Sequence, residues 1–264
     1  MNAEHGAIAL AVIGGTGLYR LAALDDARAV TATTPYGMPS GPVRVGQFGA
    51  HRIAFLARHG EEHALPPHRV NYRANLWMLK ELRVRRVLAV NAVGGITERY
   101  GPRAIGVPDQ LIDYTWGRIG TYCEGSVWEG QGTGVVHVDM TDPYTPSLRA
   151  AVLDAARAAR IEAVDGGCYG ATQGPRLETK AEIARMRRDG CDLVGMTGMP
   201  EAALARELAL DYASLALVAN WAAGCGGADA QAEITMAEVL GNLDHATAQL
   251  PALLAALLDR LAVA

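Results

Sequence analysis

The sequence predicts an α/β fold, a single domain over residues 1–264 built on a mixed β-sheet flanked by helices on both faces. Three observations predict it. Short β-branched and apolar runs recur at 7–13, 43–48, 52–57, 86–92, 107–113, 161–169, 191–196 and 212–219. Between several of them lie helical patterns with a period of about 3.6 residues. No repeat, low-complexity tract or polar linker divides the chain. Strands alternating with helices call for a mostly parallel or mixed sheet with both faces covered.

The elements follow in chain order. The first run ends in Gly14-Gly15-Thr16-Gly17. A dinucleotide fingerprint counted from Gly15 needs a glycine at position 20, where Arg20 stands, and no G-K-[ST] follows for a P-loop. The turn either offers backbone N–H groups and the Thr16 hydroxyl to an anion or merely joins two elements. The run at 52–57 leads into Arg58-His59-Gly60, followed by a helix over 69–83 with Val70, Leu76, Trp77, Leu79 and Leu82 on one face. The run at 86–92 leads into Asn91-Ala92-Val93-Gly94-Gly95. Helices are expected at 146–159, 178–188 and 200–209, and a C-terminal pair breaks at Pro251. The run at 191–196 ends in Met196-Thr197-Gly198, and the last long run in Asn220-Trp221-Ala222. Ligands in such sheets bind beyond the carboxyl ends of the strands, where these small and polar residues collect.

Composition excludes some classes of partner. Half of the 264 residues are hydrophobic, 20% are charged, and the formal net charge is -4. That balance argues against nucleic acid or an anionic membrane. The basic runs "RVRR" (83–86) and "RMRR" (185–188) read as solvated helix faces. No signal-peptide pattern opens the chain, and the apolar C-terminal stretch is too short and too charged to span a bilayer. Cys123, Cys168, Cys191 and Cys225 form no C-x-x-C pair. They predict free thiols in the cytoplasm and no zinc site, and the histidines show no metal-ligand spacing.

Four further segments bear on function: "LARHGEEHALPPHRVNYRANLWMLKEL" (56–82), "NAVGGI" (91–96), "GPRLETKAEI" (174–183) and "GMTGMPEAALARE" (195–207). With the opening glycine turn they resemble the trimeric purine nucleoside phosphorylase family, in particular its branch acting on 5′-methylthionucleosides. The resemblance runs from about residue 8 to about 250. It implies a homotrimer that reversibly cleaves a purine nucleoside with inorganic phosphate as co-substrate, without a cofactor.

In that reaction phosphate attacks C1′ while the bond to purine N9 breaks, through a transition state with oxocarbenium character. The protein must hold the nucleophilic anion and stabilise the leaving purine. Arg58 offers a planar fork to phosphate. The resemblance adds His59, the hydroxyls of Thr16 and Thr197, Asn91 and the Ala92 backbone to the phosphate cradle. It gives Met196 to the pentose and Leu177, Glu178, Asn220 and Ala222 to the base side. His59 and Asn220 are the candidates for catalysis. Plainer readings stand beside these: a core Met196, a capping Glu178 and an Asn220 in a turn.

Two departures from the methylthioadenosine branch concern specificity. That branch carries Asp-x-Asp where this chain has Asn220-Trp221-Ala222, and a small hydroxyl residue at Glu178. An amide donor and an acceptor for N1–H suit a 6-oxopurine, whereas a carboxylate suits adenine. The inosine and guanosine branch carries a 5′-facing histidine where this chain has Met236, which suits a methylthio group. Ile234, Val239 and Leu240 are expected beside it, and the resemblance has His137 reach a neighbouring subunit. The expected substrate is therefore 5′-methylthioinosine. Inosine and methylthioadenosine remain the alternatives within the family, and a nicotinamide enzyme or a non-catalytic nucleoside sensor outside it. Residues 222–232 read either as a loop closing over the base or as a surface connection.

Overall fold

The computed structural model describes residues 7–15, 24–124, 135–227 and 233–263. At its centre β1 (Leu10–Gly14) runs parallel to β4 (His51–Ala57) on one side and β5 (Arg86–Gly95) on the other. All five residues of β1 are buried, as an apolar run covered on both faces requires. Alternation along these strands then divides the core. Leu10, Val12, Ile53, Phe55, Leu88 and Val90 face one layer, formed by α2 (Pro146–Ala158), α5 (Met236–Thr247) and α6 (Leu250–Val263). Ala11, Ile13, Ala54, Leu56, Val87 and Ala89 face the other, with α1 (Tyr72–Glu81) and α4 (Gly198–Glu207). Each such buried Leu, Ile or Val contributes about 1.5–3 kcal/mol.

The sheet is mixed and eleven-stranded among the described residues. On one side β4 continues antiparallel to β3 (Val43–Phe48) and then β2 (Asp25–Val30). On the other, β5 pairs along its whole length with β11 (Asp211–Trp221), in parallel. The opposite edge of β5 is shared. Its first part holds β1 up to the pair Ile13–Ala89. Its last part, from Gly94, pairs with β10 (Leu193–Gly195). Between these contacts, Val90–Val93 have no strand partner on that edge, so the sheet forks there.

Several boundaries differ from the sequence expectation. The run at 107–113 is two strands, β6 (Ile105–Val107) and β7 (Gln110–Asp113), separated at Pro108, which has no N–H to donate. The run at 161–169 likewise divides into β8 (Ala163–Asp165) and β9 (Cys168–Ala171) at Gly166-Gly167, which have φ of 76° and 118°. The exposed edge strand β2 has no apolar signal and was not expected. A helix predicted from 178 is α3 (Lys180–Arg188). Pro251 does not break the C-terminal pair. α5 ends at Thr247, and Pro251 is the second residue of α6, where a missing N–H removes no helical bond. Among the described residues no helix is long and apolar enough to cross a membrane.

Candidate active site

A cavity of about 520 Å³ opens at the fork. Its wall includes Gly15, Arg58, His59, Ala92, Met196 and Thr197, together with Leu177, Glu178, Asn220, Ala222 and Met236. Strand ends far apart in sequence thus bring most of the predicted site residues around one space.

Arg58 follows β4 and turns inward, with only 1% of its surface exposed. Arg58 lines the cavity, but most of its fork is turned away from it, toward partners inside the fold. Nε and Nη2 donate to the two carboxylate oxygens of Glu201, at 2.8 and 2.9 Å. Nη2 also reaches the Ile13 carbonyl at 3.4 Å, and Nη1 donates to the Val90 carbonyl at 3.1 Å. The reason is burial: a guanidinium out of water needs a counter-charge. Burial pulls the Arg58 pKa down, but Glu201 outweighs it and holds the group firmly protonated. Glu201, from α4, is fully buried and also accepts from the Tyr212 hydroxyl at 2.9 Å. Of the five N–H bonds of a guanidinium, one on Nη1 remains for a ligand.

Gly15 approaches this pair closely. A Cβ placed on Gly15 would lie 3.2 Å from His59 Cδ2 and 3.9 Å from Arg58 Nη1. Glycine therefore lets the backbone reach the Arg-His pair. His59 Nδ1 donates to the Leu65 carbonyl at 2.8 Å, since a carbonyl only accepts. In the neutral ring Nε2, beside Gly15, is then an acceptor. Burial first and the Arg58 charge second lower the His59 pKa to about 4, against the pull of the Leu65 carbonyl. His59 is thus a neutral acceptor in the cavity wall.

Asn91 is buried and does not line the cavity. Its Nδ2 donates to Ser214 Oγ at 2.8 Å, and its Oδ1 accepts from Thr197 Oγ1 at 3.0 Å. It orients Thr197 instead of standing in the wall. Ala92 is exposed in the fork. Because N–H and C=O directions alternate along a strand, its N–H shares the edge of the Val90 carbonyl that Arg58 meets.

Among the residues expected at the base, Glu178 Oε1 accepts from Thr172 Oγ1 at 2.6 Å. Glu178 is not a cap. Thr179 caps α3 in a reciprocal capping box with Glu182, which leaves the Glu178 carboxylate for the cavity. Asn220 sits at a β-bulge in the β11–β5 register rather than in a turn. Such a bulge re-aims a side chain. Its Nδ2 donates to the Trp221 carbonyl at 2.7 Å, leaving one N–H and Oδ1. Gly174, at φ +59°, lies against Met196, whose Sδ would be 2.5 Å from a Cβ there. Ala222 is buried in the wall, and Leu177 is half exposed at the rim.

The 5′ side is only partly as expected. Ile234, Met236 and Val239 line the cavity, with Met236 66% exposed as the first residue of α5. Leu240, one turn beyond Met236, is exposed and outside the lining. The helix borders the cavity through its first turn, so the expectation for Leu240 is corrected. His137 is exposed and also outside this chain's cavity. Thr16 and part of the 222–232 stretch (228–232) lie outside the described residues.

Sequence reasoning missed Glu201, Tyr212, Ser214 and Thr172. Each acts on another site residue from inside the fold. The one signal was a glutamate amid the apolar residues of α4.

Comparison with known proteins gives the family. Residues 9–259 match the family model described as "Phosphorylase superfamily", and the chain belongs to that superfamily. Over 94% of its length it is 65% identical to a Xanthomonas campestris protein named "Probable S-methyl-5'-thioinosine phosphorylase", of which it covers 96%. A Xylella fastidiosa protein of the same printed name is 63% identical, over 89% of this chain and 96% of the relative. Among solved structures, methylthioadenosine phosphorylase from Schistosoma mansoni in complex with adenine superposes with a TM-score of 0.89 at 30% identity. That match covers 97% of this chain and 93% of the other.

Proposed function

We propose that the chain catalyses the phosphate-dependent, reversible cleavage of S-methyl-5′-thioinosine to hypoxanthine and 5-methylthioribose 1-phosphate. One observation carries the reading. A single cavity brings an anion-binding set (Gly15, Arg58, His59, Ala92, Thr197) together with an oxopurine-matching pair (Glu178, Asn220) and Met236. The names of the relatives just described support it.

Phosphate is held at the fork by the free Nη1 hydrogen of Arg58, the Ala92 N–H and the Thr197 hydroxyl, which gives up its bond to Asn91 for one to the anion. We assign the Thr16 hydroxyl to the same anion from the resemblance alone. Its hydroxyl, in the hydrogen phosphate form, donates to His59 Nε2. It attacks C1′ as N9 departs. Asn220 donates to the purine as negative charge develops at N7 and O6, and Glu178 accepts from N1–H. Met236, Ile234 and Val239 take the methylthio group. Phosphate is a co-substrate and the chemistry calls for no cofactor. We further place the enzyme in the cytoplasm as a homotrimer, in which His137 serves a neighbouring site. Four free thiols and the exposed apolar Trp116, Ile119 and Leu177 support this placement.

Inosine is the second reading, favoured by the exposure of Met236, which would let water satisfy a 5′-hydroxyl. Comparing kcat/KM for methylthioinosine, methylthioadenosine and inosine, with and without phosphate, decides. A preference for methylthioadenosine would overturn the roles of Glu178 and Asn220, and a preference for inosine the role of Met236.

A further inference from the structure

Arg118 lies between β7 and α2, outside the cavity lining, yet it joins several of the segments that form the wall. Its Nη2 donates to the carbonyls of Thr172 and Gln173 at 3.1 and 2.7 Å, and its Nε to Gln173 Oε1 at 3.1 Å. Its Nη1 faces the carbonyls of Met196 and Met199, at 2.9 and 2.6 Å, and the Tyr72 hydroxyl at 3.3 Å. All of these acceptors are neutral. Arg118 serves here as a planar fork that satisfies strand-end carbonyls after their sheet ladders stop.

Those carbonyls belong to the nucleoside side of the cavity. Thr172 follows β9, and its hydroxyl orients Glu178. Met196 follows β10 and lines the wall, and Met199 lies at the kinked start of α4. β9 and β10 are paired up to Ala171–Gly195, and the Thr172 N–H still donates to the Gly195 carbonyl; past that ladder one guanidinium ties the segments that continue from the two strands. Among the described residues no hydrogen bond joins it to Arg58, His59 or Ala92; of the anion-binding set only Thr197 lies in a segment it holds, between the Met196 and Met199 carbonyls.

We propose that Arg118 is a positioning residue for nucleoside binding, setting the separation between Met196 and Glu178. The role rests on the function proposed above and deepens it. In Arg118→Ala the nucleoside KM should rise by about tenfold to a hundredfold, the effect of displacing a binding group by about 1 Å. Preference for methylthioinosine over methylthioadenosine should shrink, while the phosphate KM rises several-fold less than the nucleoside KM, because Thr197 is the one phosphate-side residue in a held segment. Arg118→Lys should be intermediate, because an ammonium lacks the planar fork. Millimolar guanidinium added to Arg118→Ala should restore part of the nucleoside affinity. Equal rises in both KM values, or no change in either, would overturn the proposal. If Arg118→Ala does not fold, Arg118→Lys carries the same comparison, and wild-type values in it would count against the role. Hydrogen exchange separates this idea from the assigned reaction. Even if the wild-type chain cleaves no methylthioinosine, either variant should exchange faster at 172–178 and 196–199 and unchanged at 51–57. Unchanged exchange at 172–178 and 196–199 would sink the role of Arg118 whatever the substrate.

Discussion

At the scale of single residues, Glu201 is held in place by what it neutralises. Removing one partner of a buried ion pair strands the other, at a cost of about 3–5 kcal/mol. Glu201→Gln should therefore lower stability by about that amount in urea denaturation. Losing the Arg44–Glu61 pair, where each side chain is 44% exposed, should cost no more than about 1 kcal/mol. Equal losses would mean that the Arg58–Glu201 pair contributes no more than a surface contact. His59 gives a pH signature. Its pKa falls from 6.5 to about 4 on folding, so the unfolded chain binds a proton in that window which the folded ring refuses. Its stabilising contribution, on the order of 3 kcal/mol, is complete above 6.5 and is lost as pH falls through about 4. Denaturation midpoints of wild type and His59→Asn should converge as pH drops across this range, and parallel pH profiles would contradict it. The legibility of these residues follows from their surroundings. Arg58 and His59 were visible because a charged pair after an apolar strand breaks pattern. Tyr212 left no signal and Glu201 only that of a glutamate amid apolar residues, because their partnership depends on a contact between positions 58, 201 and 212 that no local pattern encodes.

At the scale of elements, strands and helices with an apolar period were readable, and those without one were not. β1, β4, β5 and β11 are buried on both faces and show as continuous apolar runs. β2 is exposed along its length, so hydrophobicity left no trace of it. The first turn of α5 carries the specificity proposed here. The helix starts at a Thr235 cap whose side chain accepts from the Glu238 N–H, and this fixes Met236 at the cavity mouth. Met236→His should raise kcat/KM for inosine relative to methylthioinosine, by about tenfold or more, since a ring N–H can pair with a 5′-hydroxyl that sulfur barely satisfies. An unchanged ratio in steady-state assays would remove α5 from sugar recognition. The expectation for Leu240 failed at this same scale: periodicity finds the face of a helix but not how far along its length that face meets the cavity.

At the scale of the whole molecule, the architecture was legible and the opening in it was not. Alternating strands and helices imply a sheet covered on both faces, but not that β5 changes neighbours between Ala89 and Gly94. That change depends on pairing between β5 and residues about a hundred positions away. It also has a thermodynamic consequence. In an unbroken sheet every backbone donor along an interior strand has a rung to hold. At the fork the ladder lacks its rungs, and an oxyanion accepting from Ala92 while touching the Gly15 turn would stand in for one. Substrate would then complete the sheet as well as react in it. Folding and phosphate are coupled in such a design: at a hundred times its Kd, phosphate should stabilise the chain by about 2.7 kcal/mol. Melting temperature should climb with the logarithm of phosphate concentration, and a chloride control at equal ionic strength should stay flat. Seen this way, the co-substrate is the last piece of β-structure the protein acquires, lent for one catalytic cycle and then carried away on the sugar.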